Sequence, residues 1–162
     1  MSRIAYIDRL NERYQGLGFP PYRWSVYETS PWTPFTKPLG ESCLALISAA
    51  GVFQEDQEPF EPWAVNDLSF RLLPKNTPFD KLKLHHNYFD HREAKKDLNC
   101  VFPLARLLEL ERSGYIGRLA PMSITLGMGR LYKRTELQKG TVPKILDILR
   151  EQGVDAALLV AA

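Results

Sequence analysis

Hydrophobic and polar positions follow two alternating patterns along this 162-residue chain. Continuous apolar runs at 41–48 and 154–162 predict strands that are buried on both faces, as in a parallel sheet. Apolar residues recur at helical spacing over 103–113 and 141–151, and a glycine follows each stretch, which predicts two amphipathic helices. Because strands and helices alternate, we expect an α/β domain with three layers around a mostly parallel sheet, of the Rossmann or flavodoxin-like kind.

Shorter patterns fill the space between these elements. Residues 68–73 and 123–126 predict further strands, and 82–86 predicts a short strand whose carboxyl end carries histidines. The small residues Ala49, Ala50 and Gly51 come directly after the first apolar run. They allow close backbone approach at the carboxyl end of that strand, where open α/β sheets bind their ligands.

The first 40 residues have a different character. Residues 2–15 carry apolar groups at helical spacing and predict a short helix. Residues 19–38 are rich in proline and in large aromatic side chains, which disfavours both regular structure and disorder. We therefore predict a helix and an extended aromatic arm over 1–40, and an α/β domain over 41–162 that a partner chain completes.

Composition excludes several classes of function. The net charge of +2 is too balanced to indicate nucleic-acid binding, and no apolar run is long enough to span a bilayer. The amino terminus lacks the apolar core of a signal peptide, so a cytoplasmic protein is expected. Cys43 and Cys100 each lie in an apolar run, which predicts buried, reduced thiols.

All three histidines, His85, His86 and His91, lie within seven residues. In one hypothesis His86 transfers protons or contacts substrate at the strand end, with Asp90 orienting it and Tyr88 as pocket wall. In a second, His86, His91 and Asp90 bind a divalent metal. In a third, the histidines are structural. Strand alternation would turn His85 and His86 to opposite faces, which argues against a dense metal cluster.

Other residues complete the candidate site. Ser48 and Gly51, at the end of the first strand, could hold an anionic group of a substrate. A tight packing turn is an equal alternative for these two residues. Asn99 could contact substrate too, although a structural role with Asp97 in the turn before the helix at 103–113 is the simpler interpretation. The glycines near residue 128 lack the context of a phosphate-binding loop, so no nucleotide cofactor motif is identified.

Several stretches resemble the selenoprotein B family of the glycine, sarcosine, betaine and D-proline reductases. They are the first strand with its small-residue turn (37–52), the histidine segment (86–91), the run Asp-Leu-Asn-Cys-Val-Phe-Pro-Leu-Ala-Arg-Leu (97–107), the run Gly-Tyr-Ile-Gly-Arg-Leu-Ala (114–120) and the final strand (153–159). The resemblance spans roughly residues 37–162, and the third and fourth stretches are the most specific.

The resemblance implies a component of a reductase that acts on a small amine or amino-acid-derived substrate. In that family a redox cysteine or selenocysteine motif follows the strand that matches 155–162, so we expect a protein partner to supply this half. One alternative is a non-catalytic docking subunit of a multi-chain enzyme. The other is a stand-alone metal-dependent enzyme that uses the segment 85–91.

Overall fold

The computed structural model describes residues 5–21, 26–63, 66–87, 89–127 and 133–162. It divides into two compact units, Met1–Phe35 and Thr36–Ala162. In the first unit, helix α1 (Tyr6–Gly16) matches the predicted amphipathic helix, and Gly18 follows it with a φ of 79°. The aromatic stretch that comes next has no helix or strand among its described residues.

The second unit contains the predicted α/β elements. Its strands are β1 (Cys43–Ser48), β2 (Val52–Gln54), β3 (Phe70–Pro74), β4 (Leu82–Leu84), β5 (Arg118–Leu119), β6 (Met122–Leu126) and β7 (Ala156–Val160). Its helices are α2 (Arg92–Lys96), α3 (Leu104–Arg112), α4 (Arg134–Glu136) and α5 (Val142–Glu151), with a π-helical turn at Leu137–Thr141 and 3₁₀ turns at Leu39–Glu41, Phe79–Lys81 and Leu98–Cys100. None of the helices described in either unit is long and apolar enough to cross a membrane.

Strand β1 is the centre of the main sheet. It pairs in parallel with β7 along most of its length, from Leu44 opposite Ala156 to Ser48 opposite Val160. Strands β5 and β6 also pair with β1 in parallel, and they share its other side because β7 occupies the first. Strand β3 is antiparallel to β6 and forms an edge. The result is a mixed sheet with a parallel centre.

Side chains of β1 alternate between two cores, one on each face of the sheet. Leu46 joins the cluster that includes Leu104 and Leu107 of α3. Ile47 packs on the opposite face, in a cluster with Ile145 of α5. The helices therefore form two layers that cover the sheet from both sides, as the alternation of patterns predicted.

One predicted strand is shorter than expected and lies outside the main sheet. A strand was predicted over 82–86, but β4 ends at Leu84 and pairs antiparallel with β2 in a separate two-stranded sheet. Strands β2 and β5 and helix α2 were not predicted. They are two to five residues long, too short to show a periodic pattern, and α2 is held by a single buried side chain, Ala94.

Candidate functional site

The parallel strands end together at one edge of the sheet. Ser48 lies opposite Thr125 of β6 on one side and opposite Val160 of β7 on the other. The chain then turns through Ala49, whose backbone N–H donates to the carbonyl of Val160 at 3.0 Å. This edge is the place where parallel sheets bind their ligands, and the histidine segment reaches it.

Gly51 brings the histidines to this edge. Its φ is 66°, and a Cβ atom built on it would lie 2.3 Å from the carbonyl oxygen of His85 and 3.7 Å from Cβ of His86. The backbone N–H of His85 donates to the carbonyl of Gly51 at 3.1 Å. A side chain at residue 51 would collide with the histidine backbone, so the close approach requires glycine.

The imidazole of His86 is buried, with the residue only 3% exposed. Its ring lies 4.7 Å from the ring of Phe89, which in turn lies 6.0 Å from the ring of His91. Burial lowers the pKa of His86 below its ordinary value, and the nearby His91 lowers that pKa further. The lowered pKa favours the neutral imidazole, the form that can accept a proton.

His85 has different surroundings. Its ring packs edge-on against Phe53 at 4.9 Å, and its Nδ1 lies 3.2 Å from the carbonyl oxygen of Phe60. The adjacent histidines thus separate into one that contacts the β2 region and one that is buried beside Gly51. Both lie beyond the end of β4, so their divergence does not come from the strand alternation that we expected.

Asp90 was predicted to orient His86, and the structure describes a contact of its carboxylate with Arg92. Its carboxylate accepts hydrogen bonds from Arg92, with Nε at 2.9 and 3.0 Å and Nη2 at 2.6 Å, and these bonds lower the pKa of Asp90. Both side chains are exposed. The carboxylate thus pairs with Arg92, and a role in orienting His86 stays a prediction.

The predicted metal set is not brought together. Within residues 5–21, 26–63, 66–87, 89–127 and 133–162, no three His, Cys, Asp or Glu side chains form a group that could hold a metal ion. For His86, His91 and Asp90 the physical reason is that the Phe89 ring lies against both imidazoles, while the carboxylate pairs with Arg92.

Ser48 is fully buried, and its hydroxyl is already engaged. Its Oγ donates to the carbonyl of Val101 at 2.7 Å and accepts from the backbone N–H of Ala50 at 3.2 Å. These bonds tie the turn after β1 to the segment that precedes α3. Contact of Ser48 with a substrate stays a prediction, and the observed contacts are structural.

Asn99 also has structural bonds. Its Nδ2 donates to Asp97 at 2.8 Å, and its Oδ1 accepts from the backbone N–H of Ala105 at 3.2 Å. This is the turn role that the sequence favoured. Tyr88, the predicted pocket wall, lies outside the described residues.

The two cysteines differ, against the expectation that both are buried. Cys43 is buried at the beginning of β1, away from the candidate site, and burial raises the pKa of its thiol. Cys100 is exposed. The apolar run 100–102 buries Val101 and Phe102, and Cys100 belongs to the short turn in front of them.

The packing role of Phe89 was not predicted. Its ring lies between the two imidazoles and packs against the main core. The available signal was a lone apolar aromatic residue within the otherwise polar stretch 85–92, since such a ring inside a loop usually anchors it.

These features define an α/β domain with a buried histidine beside the turn that follows its central strand. Among known proteins, the chain is similar to the D-proline reductase subunit gamma of Acetoanaerobium sticklandii, with 36% identity over 130 residues. The match covers 80% of this chain and 52% of the relative, so the chain spans about half the length of the curated relative that it matches. No protein-family model matches the chain, and no solved structure matches it significantly. The chain is thus related to a reductase subunit.

Proposed function

We propose that this chain is a component of a multi-chain reductase that cleaves a carbon–nitrogen bond in a small amine or amino-acid-derived substrate. The observation that carries the proposal is the buried His86 beside Gly51, in the turn after β1, in a chain similar to a D-proline reductase subunit. His86 is the residue that we expect to transfer a proton to or from the substrate nitrogen.

The chemistry of such a cleavage suits this group. Reductive cleavage of a C–N bond consumes two electrons and two protons, and the departing nitrogen needs one of these protons. A neutral imidazole can take a proton from a bound ammonium group and return it as the bond breaks. The lowered pKa of His86 supplies that neutral form.

Substrate recognition is proposed at the turn after β1. A carboxylate that binds at Gly51 would approach from the side away from His85, because a Cβ atom there would lie 2.3 Å from the carbonyl oxygen of His85. The N–H groups of Ala49 and Ala50 already donate to Val160 and Ser48. Ser48 holds this turn through Ala50 and Val101. Direct contacts from Tyr88 and Asn99 are part of the same proposal.

We further propose that a second polypeptide supplies the redox cysteine or selenocysteine. The relative carries the word subunit in its name, which supports a multi-chain enzyme. The reductant would be a dithiol, which gives two electrons and two protons and becomes a disulfide.

The test uses the native complex. The tagged chain is purified from its own cells with its bound proteins, and consumption of D-proline, glycine, sarcosine and betaine is measured with dithiothreitol as the reductant. We expect turnover of one of these substrates, and a loss of at least 100-fold in kcat in His86→Ala. The matched control is His85→Ala, because His85 is the neighbouring histidine that contacts the β2 region instead.

Two results would overturn the proposal. One is a complex that contains no redox polypeptide and turns over none of the four substrates. The other is a His86→Ala complex that is as active as the His85→Ala complex. Full activity without His86 would favour the second candidate, a non-catalytic docking subunit, which the exposed apolar strand β7 supports.

A further inference from the structure

Among the described residues of the Thr36–Ala162 unit, strand β7 is paired on one side only. It runs Ala-Ala-Leu-Leu-Val, and Ala161 and Ala162 follow it, so it carries no charge and no proline. Edge strands of stable proteins usually carry lysine, proline or a bulge that prevents another strand from pairing. Strand β7 has none of these along Ala156–Val160.

The backbone of β7 offers bonds to a further strand. The carbonyl of Val160 accepts from Ala49, and Val160 lies opposite Ser48 in the register. Backbone groups alternate along a parallel strand, so those of Ala157 and Leu159 point away from β1. Two N–H donors and two carbonyl acceptors therefore face the open side.

Both faces of β7 are also partly exposed, although Val160 packs against the main core. Leu159 is 72% exposed on the face covered elsewhere by α5, and Leu158 is 38% exposed on the other face. Their partners in β1, Ile47 and Leu46, are 8% and 0% exposed. Leu146 of α5 adds a further exposed apolar side chain. We call Ala157, Leu158 and Leu159 the open β7 edge.

We propose that the open β7 edge receives a parallel strand, with its covering helix, from a sequence that corresponds to the part of the D-proline reductase subunit gamma outside the match, which covers 52% of that subunit. This proposal rests on the proposed function. Parallel sheets of this kind grow by strands that arrive with helices. Such a strand–helix unit would pair with Ala157 and Leu159 and bury the leucines.

A second copy of this chain fits the edge less well. The β7 strand of a second copy has the same exposed side chains. In each copy α3 and α5 cover the cores beside β1 and leave Leu159 exposed. The joined sheet would leave Leu159 of both copies exposed at the seam. A unit that brings its own helix buries this side chain, and this difference favours the strand–helix partner.

The experiment measures binding and backbone protection together. The full chain is co-expressed with the tagged, unmatched half of the Acetoanaerobium sticklandii subunit, and the affinity of the purified pair is measured. Hydrogen exchange is then followed at individual amides. We expect the amides of Ala157 and Leu159 to exchange at least tenfold more slowly in the pair, and those of Leu158 and Val160 to change little because they already bond to β1.

Two variants test the edge itself. Leu159→Lys places a charge on it, and Ala157→Pro removes an outward N–H without breaking a bond to β1. Each should weaken binding at least tenfold while the unfolding midpoint of the chain alone stays within a few degrees. Tyr115→Lys is the matched control, since Tyr115 is 63% exposed, lies between α3 and β5 and should leave binding unchanged.

The outcomes separate this inference from the proposed function. Equal affinity of wild type and both edge variants would overturn the edge proposal and leave the reductase proposal standing. Protection of Ala157 and Leu159 in the chain alone, at the mass of a dimer, would also overturn it in favour of a second copy. A pair that forms through the edge but shows no reductase activity with any of the four substrates would count against the function and not against the edge.

Discussion

Gly51→Ala is the sharpest test of how the candidate site is built. The added methyl group would stand 2.3 Å from the carbonyl oxygen of His85, whereas real Cβ atoms essentially never come within 3.0 Å of such a neighbour. The two segments must therefore separate by about 0.7 Å. The backbone bond between His85 and Gly51 joins the same two residues, so the separation strains it as well.

The expected cost has two parts. A non-glycine residue in the left-handed region costs about 1–2 kcal/mol, and forcing atoms into a packed region costs about 1–3 kcal/mol more. The free energy of unfolding should therefore fall by about 2–5 kcal/mol. Gly114→Ala is the matched control: its φ is 74°, and a Cβ there meets nothing within 4 Å. It should pay the conformational cost alone, about 1–2 kcal/mol.

Urea unfolding of the two variants, followed by circular dichroism, measures the difference directly. The environment of His86 provides a second readout, because its imidazole resonances should shift in Gly51→Ala and stay in place in Gly114→Ala. Equal destabilisation by the two substitutions would refute the reasoning, since the difference between them isolates the contact of Gly51 with the histidine backbone.

Three further predictions concern the same region. Ser48→Ala should lower the free energy of unfolding by about 1–3 kcal/mol, because it leaves the buried carbonyl of Val101 without its donor. Urea unfolding measures this change, and an unchanged stability would contradict the prediction. The pKa of His86 is lowered by folding, so the unfolded state binds more protons below about pH 6.5 and stability should fall as the pH falls from 7.5 to 5.5. In His86→Phe this part of the pH dependence should disappear, and an identical pH profile would refute the assignment. Cys100 should react with a thiol reagent in the native state within minutes, while Cys43 should react only on unfolding. Mass spectrometry of labelled peptides distinguishes the two cysteines, and equal labelling would contradict the burial of Cys43.

The main helices and buried strands could be predicted from the sequence because their signals are local. Helix α3 begins after Pro103 and ends before Gly114, whose φ of 74° suits glycine, and α5 ends before Gly153 in the same way. The run at 41–48 was read as a fully buried strand, and β1 is indeed covered on both faces. Periodicity and glycine position sufficed for these elements.

Pairing was harder to predict because it depends on distant contacts. Strand β4 has three residues and pairs with β2, and no local pattern of 82–86 distinguishes that partner from the main sheet. Strands β5 and β6 both pair with the same side of β1, and Ala120 and Pro121 separate them. Only β6, the longer of the two, has a pattern that predicts a strand. Short elements whose stability comes from tertiary contact leave little trace in hydrophobic periodicity.

The site illustrates the same limit. The sequence predicted His86 at the carboxyl end of a strand over 82–86. In the structure β4 ends at Leu84, and His86 lies beside Gly51 in the turn after β1. His86 follows β4, which pairs with β2 and not with a strand of the main sheet. The absence of a side chain on Gly51 allows the histidine backbone to approach the turn. Asp90 pairs with Arg92, which is two residues away in the sequence. Spacing alone could not show whether the carboxylate would contact Arg92 or a histidine.

This position of His86 has a consequence for experiments on the site. His86 is held by elements outside the main sheet, namely the short β2–β4 pair, the ring of Phe89 and the turn at Gly51. This pair is held by side chains that belong to the main core, Val52 and Leu82. A substitution that loosens this packing would displace His86 and lower activity, and would be mistaken for the loss of a catalytic group. Hydrogen exchange at Phe53 and Lys83, measured beside the activity of each variant, separates displacement of His86 from loss of its chemistry.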